Sequence, residues 1–132
     1  MYFIENKRLI ECKNKALESW SKHNFIFKQF ADLMKQKIKE FKKKFNNILI
    51  ISSDFDEIIS QVVDLRYENL FYFSQYKSFL ENISLRSQKI TKIFSSLDTL
   101  PFKKESFDLV ICNLCFHNIN KKNQYLDNLK SV

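Results

Sequence analysis

The chain has 132 residues and not one glycine. Glycine turns a backbone through positive φ without steric cost and lets a ligand come close to the main chain, so loops that hold nucleotides or adenosyl groups are normally built on it. No such position can be filled in the usual way here. That bears on every reading of the chain as a nucleotide binder.

The length suits one domain with a real core. Apolar residues make up 45% of the chain, 14 of them Phe, which argues against disorder. No apolar run approaches the roughly 20 residues a membrane span needs. Met1–Glu5 has neither the basic start nor the apolar stretch of a signal peptide, and the expectation is a cytoplasmic protein. Three cysteines, an odd number, fit reduced thiols rather than a disulfide framework.

The formal charge of +7 comes almost wholly from Lys, with only Arg8, Arg66 and Arg86 able to make forked contacts to phosphate or guanine. Base-specific recognition of nucleic acid is not expected. A basic module that binds polyanions in a salt-sensitive way is the reading the charge itself supports. The abundance of Lys, Asn, Ile and Phe also matches the coding bias of an AT-rich genome.

Helical spacing of Leu9, Ile10, Cys12, Ala16, Leu17 and Trp20 predicts a first helix over about 5–22, with Trp20 packed inward. His23 falls in the polar break that follows, and Asn24 is a suitable cap for a second helix over about 25–45. In that helix Phe27, Phe30, Met34, Ile38, Phe41 and Phe45 follow steps of three and four, with Lys residues between them. The stripe reads as core-facing with a solvated basic face; a helix lying on an anionic membrane surface is the alternative.

Strands are predicted at 47–52, 68–73, 89–94 and 107–113, from their apolar, β-branched and aromatic residues. Helices are expected over about 55–65 (capped by Ser53 or Asp54), 76–83 and 123–132. Strands alternating with helices make a parallel α/β sheet with right-handed crossovers. The expected division is an N-terminal helical segment, 1–45, packed on a domain of 46–132, the two forming one structural unit.

The stretch Leu100-Pro101-Phe102, the charged turn Lys103–Ser106, and the strand Phe107-Asp108-Leu109-Val110 resemble the fourth-strand region of class I S-adenosylmethionine-dependent methyltransferases. Ala16-Leu17, the segment Trp20–Phe27 and the following helix with Ala31-Asp32 are similar to one branch of that class. It comprises the mitochondrial and alphaproteobacterial proteins related to the respiratory complex I assembly factor that hydroxylates an arginine. The biotin-pathway methyltransferase is a more distant likeness, sharing mainly the later motifs. The resemblance implies N-terminal helices followed by a Rossmann-like parallel sheet, of which about four strands, the first half, are present. It also implies S-adenosylmethionine as cofactor.

On that resemblance the turn after the first strand, Ser52–Asp56, stands where the family has its Gly-rich loop, and Ile50 where it has an acid. The second strand ends in Ser74-Gln75 instead of an acid for the ribose hydroxyls, and Ser96 replaces an Asp for the adenine amine. If each lost contact is worth about 1–2 kcal/mol, binding weakens some hundreds-fold or more. Leu97, through its backbone N–H, and Asn113 and His117, beyond the fourth strand, are the cofactor-binding candidates that remain. Asp98 stands where the family often has Glu. No catalytic residue is assigned, because no acid near His117 in sequence is placed to orient its imidazole. Asp54 and Asp56 read as helix-start partners rather than metal ligands. Cys112, Cys115 and His117 have a metal or redox spacing, but zinc would need a further ligand such as Cys12, and a thiol on a buried strand reads as inert. No metal is assigned.

The first reading is therefore a degenerate, truncated methyltransferase-like protein without catalytic competence of its own, serving as a scaffold or as half of a split protein. Its fourth strand would be an apolar sheet edge that invites a protein partner or self-association. The alternatives are an active S-adenosylmethionine-dependent methyltransferase, a complex I assembly factor, and the polyanion-binding module.

Overall fold

Eight successive residues, Phe45–Ser52, form β1, and its side chains alternate between two apolar faces. Ile48 and Ile50 point to one core cluster, Leu49 and Ile51 to the other, and all four are fully buried. A strand covered on both faces must be apolar throughout, which is why Ile48–Ile51 reads as an unbroken run. In this computed structural model, residues 2–41, 43–52, 57–81, 83 and 90–132 are described, the side chains of 2–6 and 118 excepted.

β1 lies inside a four-stranded parallel sheet of order β3-β2-β1-β4, with β2 at Tyr67–Ser74, β3 at Ile90–Phe94 and β4 at Leu109–Asn113. The register sets Ile50 beside Tyr72 on one side and Ile111 on the other. The predicted α/β class and the four parallel strands are what the structure shows.

Among the described residues there are six helices: α1 Tyr2–Glu18, α2 Trp20–His23, α3 Phe25–Lys39, α4 Glu57–Val62, α5 Lys77–Glu81 and α6 Lys122–Ser131. Ala31 and Ile38 of α3, with Ile58, Ile59 and Val62 of α4, pack on Ile48, Ile50, Leu70 and Tyr72. At the end of this contact Lys35 pairs with Asp64 at 2.7 Å, and that hydrogen bond and charge hold the Asp64 carboxyl below its ordinary pKa. Tyr125 and Leu129 of α6 cover the opposite face with the segment that leads from β3 to β4. There Phe102 meets Phe73 at 6.0 Å and Phe107 at 5.0 Å, and Phe107 meets Phe71 at 5.4 Å, all edge to face. Edge-to-face packing suits the ring quadrupole, so the Leu100-Pro101-Phe102 stretch works as an aromatic clamp on the sheet.

Several expectations need correction. The helical pattern predicted to run to Phe45 stops at Lys39, and Phe45 is instead the buried first residue of β1. Phe30 and Phe41 do not face the core: they are 45% and 65% exposed. The inward face of α3 is Ala31 and Ile38, flanked by Met34. The first helix ends at Glu18, and Trp20–His23 forms a separate turn of helix that places His23 inside α2. β4 begins at Leu109 rather than at Phe107. The Ser53–Asp56 turn, with the capping role read for Ser53 or Asp54, lies outside the described residues, as does Lys89 of the predicted third strand.

Without glycine, two residues among those described take positive φ: Glu105 at 55° and Leu114 at 52°. Glu105 sits in the charged turn before β4, where Ser106 Oγ donates to the Lys103 carbonyl at 2.7 Å. Leu114 sits directly after β4. A left-handed conformation costs a Cβ-bearing residue about 1–2 kcal/mol, so each position is held by its surroundings.

Candidate functional site

Parallel strands deliver their C-terminal residues to one edge of the sheet, where ligands of α/β proteins bind. Here those residues are Ser52, Ser74, Phe94 and Asn113, and Ser52 stands beside Asn113 in register. Ser52, Ser74 and Asn113 are buried polar residues, while Phe94 is 62% exposed.

The three sequence candidates reach this edge in different ways. Asn113 is the last residue of β4 and is buried. Leu97 is buried in the core cluster on the α6 side. His117 lies in a 3-10 turn, Phe116–Asn118, and is exposed. No carboxylate among the described residues pairs with its imidazole. Asn113 and Leu97 thus belong to the floor of the strand-end region, and His117 to its surface.

The positions where the resemblance places cofactor contacts are engaged within the chain. Ser74 Oγ accepts from the Tyr76 backbone N–H at 3.0 Å, and Gln75 Nε2 donates to the Tyr76 hydroxyl at 2.9 Å. Burial pushes the Tyr76 phenol up, outweighing the Gln75 hydrogen bond. Ser96 closes its own turn: its Oγ accepts from the Asp98 N–H at 3.3 Å, and its carbonyl from the Thr99 N–H at 3.3 Å. Neither site offers a carboxylate to a ribose or an adenine. At these two positions the side chains close local turns.

Beside Asp98 a cleft of about 330 Å³ opens between the β3–β4 segment and α6, lined also by Ile119, Asn120, Lys121, Gln124, Tyr125 and Asn128. The Tyr125 hydroxyl on its wall is buried and has no hydrogen-bond partner among the described residues. Burial first, then the neighbouring Cys112, Cys115 and Asp98, push that phenol far above its ordinary pKa, so it is a neutral hydroxyl at any physiological pH.

One arrangement went unread in the sequence, and a second was read differently. Glu57, at the start of α4, is 7% exposed and accepts from Trp20 Nε1 at 2.8 and 2.9 Å and from Asn24 Nδ2 at 2.6 Å. Asn24 keeps the cap position of α3, but its side chain makes no capping bond there. The second concerns Cys112, read above as an inert buried thiol. It is half-buried, and its Sγ lies 2.8 Å from that of Cys115. The spacing was visible in sequence; the closeness of the sulfurs follows from the turn at Leu114. No three metal-ligating side chains come together among the described residues.

A family model described as a methyltransferase domain matches residues 60–132, more than half of the chain. The chain belongs to that family. Similar solved structures include the plantazolicin methyltransferase BpumL in complex with a monoazolic desmethylPZN analog and SAH, at a TM-score of 0.61 and 17% identity. The same enzyme with a pentazolic analog and SAH gives 0.60 and 18%. Each match covers 97% of this chain and 49% of the other, so the chain spans about half the length of these methyltransferases. At such identities the likeness establishes the Rossmann-like methyltransferase fold. No curated protein matches the chain. Among the described residues no helix of this methyltransferase-family chain is long and apolar enough to cross a membrane.

Proposed function

We propose that this chain is a methyltransferase-like binding scaffold whose β4 edge receives a further parallel strand from a protein segment, a second copy included. On its own it binds S-adenosylmethionine weakly and does not turn it over. The observation that carries this reading is the hydrogen bonding around β4. Phe45 donates its N–H to the Arg66 carbonyl at 2.9 Å, so odd-numbered residues of β1 face β2 and even-numbered ones face β4. With Ile48 opposite Leu109, Val110 and Cys112 direct their backbone groups toward β1. Leu109 and Ile111 direct theirs the other way, and no strand pairs with that side among the described residues. On the same side, the Ser131 and Val132 carbonyls accept from the Glu105 and Phe107 N–H groups at 2.8 and 2.9 Å. The backbone leaving α6 is already laid against the lead-in of β4, and a strand continuing that line would fill the edge. Unpaired edges of this kind recruit strands.

In a dilute, monomeric preparation the amide hydrogens of Leu109 and Ile111 are expected to exchange rapidly, while those of Val110 and Cys112 are slow. Hydrogen exchange followed by NMR checks this, and slow exchange at all four overturns the open edge.

The second reading, methyl transfer from S-adenosylmethionine, is supported by the family and by the buried Asn113 at the end of β4, while a role in complex I assembly rests on the N-terminal resemblance alone. Thermal unfolding with millimolar S-adenosylhomocysteine separates the two. A ligand at a hundred times its dissociation constant adds about 2.7 kcal/mol, several degrees in a domain of this size. The scaffold reading expects a cooperative melt that moves by less than about one degree. A clear upward shift overturns it in favour of the enzyme.

A further inference from the structure

Cys112 and Cys115 bracket the turn that ends β4, with their sulfurs 2.8 Å apart. A disulfide bond is about 2.05 Å long, so the pair can close with a movement of less than about 1 Å. The turn creates this proximity. Asn113 finishes the strand, and Leu114, at φ 52°, reverses the chain and returns Cys115 to the sulfur of Cys112. The backbone strain that a leucine accepts in this conformation is thus spent at the one place where it brings two thiols together.

The two sulfurs are not equivalent. Cys115 is fully buried, and its thiol points at the Ile51 carbonyl oxygen, 3.7 Å away. Cys112 is half-buried, and its hydrogen bond with Cys115 lowers its pKa despite the opposing effect of burial. A reachable sulfur with a stabilised thiolate, backed by a buried partner, has the asymmetry of an attacking and a resolving cysteine.

We infer that Cys112 and Cys115 form a reversible dithiol–disulfide site, oxidised by a low-molecular-weight disulfide of the glutathione type. Cys112 loses its proton to solvent and its thiolate attacks one sulfur of the oxidant. The oxidant's S–S bond breaks, one thiolate leaves and takes up a proton, and a mixed disulfide stands on Cys112. Cys115 then loses its proton and attacks Cys112 Sγ. The mixed disulfide breaks, and the second small thiol leaves protonated. Two electrons and two protons pass from the cysteine pair to the oxidant, which ends as two thiols. The new bond ties the end of β4 to the start of the 3-10 turn and fixes Asn113 between them. The inference does not depend on whether the chain binds S-adenosylmethionine.

Incubation of the purified chain with oxidised glutathione, followed by acid quench, iodoacetamide and tryptic mass mapping, tests it. Trypsin releases residues 105–121 as one peptide holding both cysteines. The expected product is that peptide without alkylation and lighter by two hydrogens, restored by dithiothreitol. In Cys115→Ser the reaction should stop at a glutathione adduct on Cys112, and Cys112→Ser should leave Cys115 unmodified. A doubly alkylated 105–121 peptide from the oxidised wild-type chain overturns the site. A glutathione adduct on Cys115 rather than Cys112 overturns the assigned roles. The exposed Cys12 of α1 lies in another peptide and serves as the reference for general thiol reactivity.

Discussion

Replacing Glu57 with alanine is expected to destabilise the chain by about 3 kcal/mol, because it strands two buried donors at once. The Trp20 indole N–H and the Asn24 amide both end on this carboxylate, at 2.6 to 2.9 Å, and all three residues are less than a tenth exposed. Neither donor can turn to water without moving a helix: Trp20 is held by Phe27 at 4.7 Å and Phe79 at 6.0 Å, and Asn24 occupies the junction of α2 and α3. The midpoint of thermal unfolding should fall by roughly 10 °C. Glu57→Gln keeps an acceptor oxygen and the volume of the side chain, so it should retain more than half of the lost stability. Urea unfolding of the wild type and the two variants measures both. A Glu57→Ala chain within about 0.5 kcal/mol of wild type would show that the cluster is solvated and holds nothing.

This cluster also shows where sequence reading runs out. Trp20 was expected to pack inward, and it does. Glu57 gave no such signal, since an acid at a helix start is ordinarily a dipole partner. Its meeting with Trp20 spans 37 positions of chain, and no local pattern encodes a pairing at that range. The sheet was legible for the opposite reason. Ile48–Ile51 is buried on both faces and so leaves a continuous apolar run, and β4 was found from Leu109–Ile111 in the same way. Asn24 was half legible: its backbone position at the start of α3 followed from its type, but its side chain answers a distant carboxylate. At the strand ends, the resemblance to the methyltransferase class marked Ser74 and Ser96 as departures from its acidic pattern. Only the structure shows that both hydroxyls close their own turns.

The largest losses are expected in β1, where Leu49→Ala and Ile50→Ala should each cost about 2–5 kcal/mol through lost burial and the cavity left behind. The two residues are neighbours in sequence and both fully buried, yet they serve opposite clusters. Ile50 supports the contact of the sheet with α3 and α4; Leu49 supports the face covered by Tyr125, Leu129 and the aromatic clamp. Because the clusters are separated by the sheet, the two losses should add in the double variant. Phe41→Ala is the matched control. The periodic pattern gave Phe41 the same standing as Ile38, but it is 65% exposed, and its loss should stay within about 0.5 kcal/mol. Amphipathic spacing shows that a helix has an apolar stripe without showing which part of it meets the sheet. In α3 the small Ala31 is fully buried against the sheet cluster while the large Phe30 is left outside it, as is Phe41 beyond the helix end. Chemical denaturation of the four variants decides the matter: a small effect at Leu49 or Ile50, or a large one at Phe41, would mean that α3 and α6 do not cover the sheet as described.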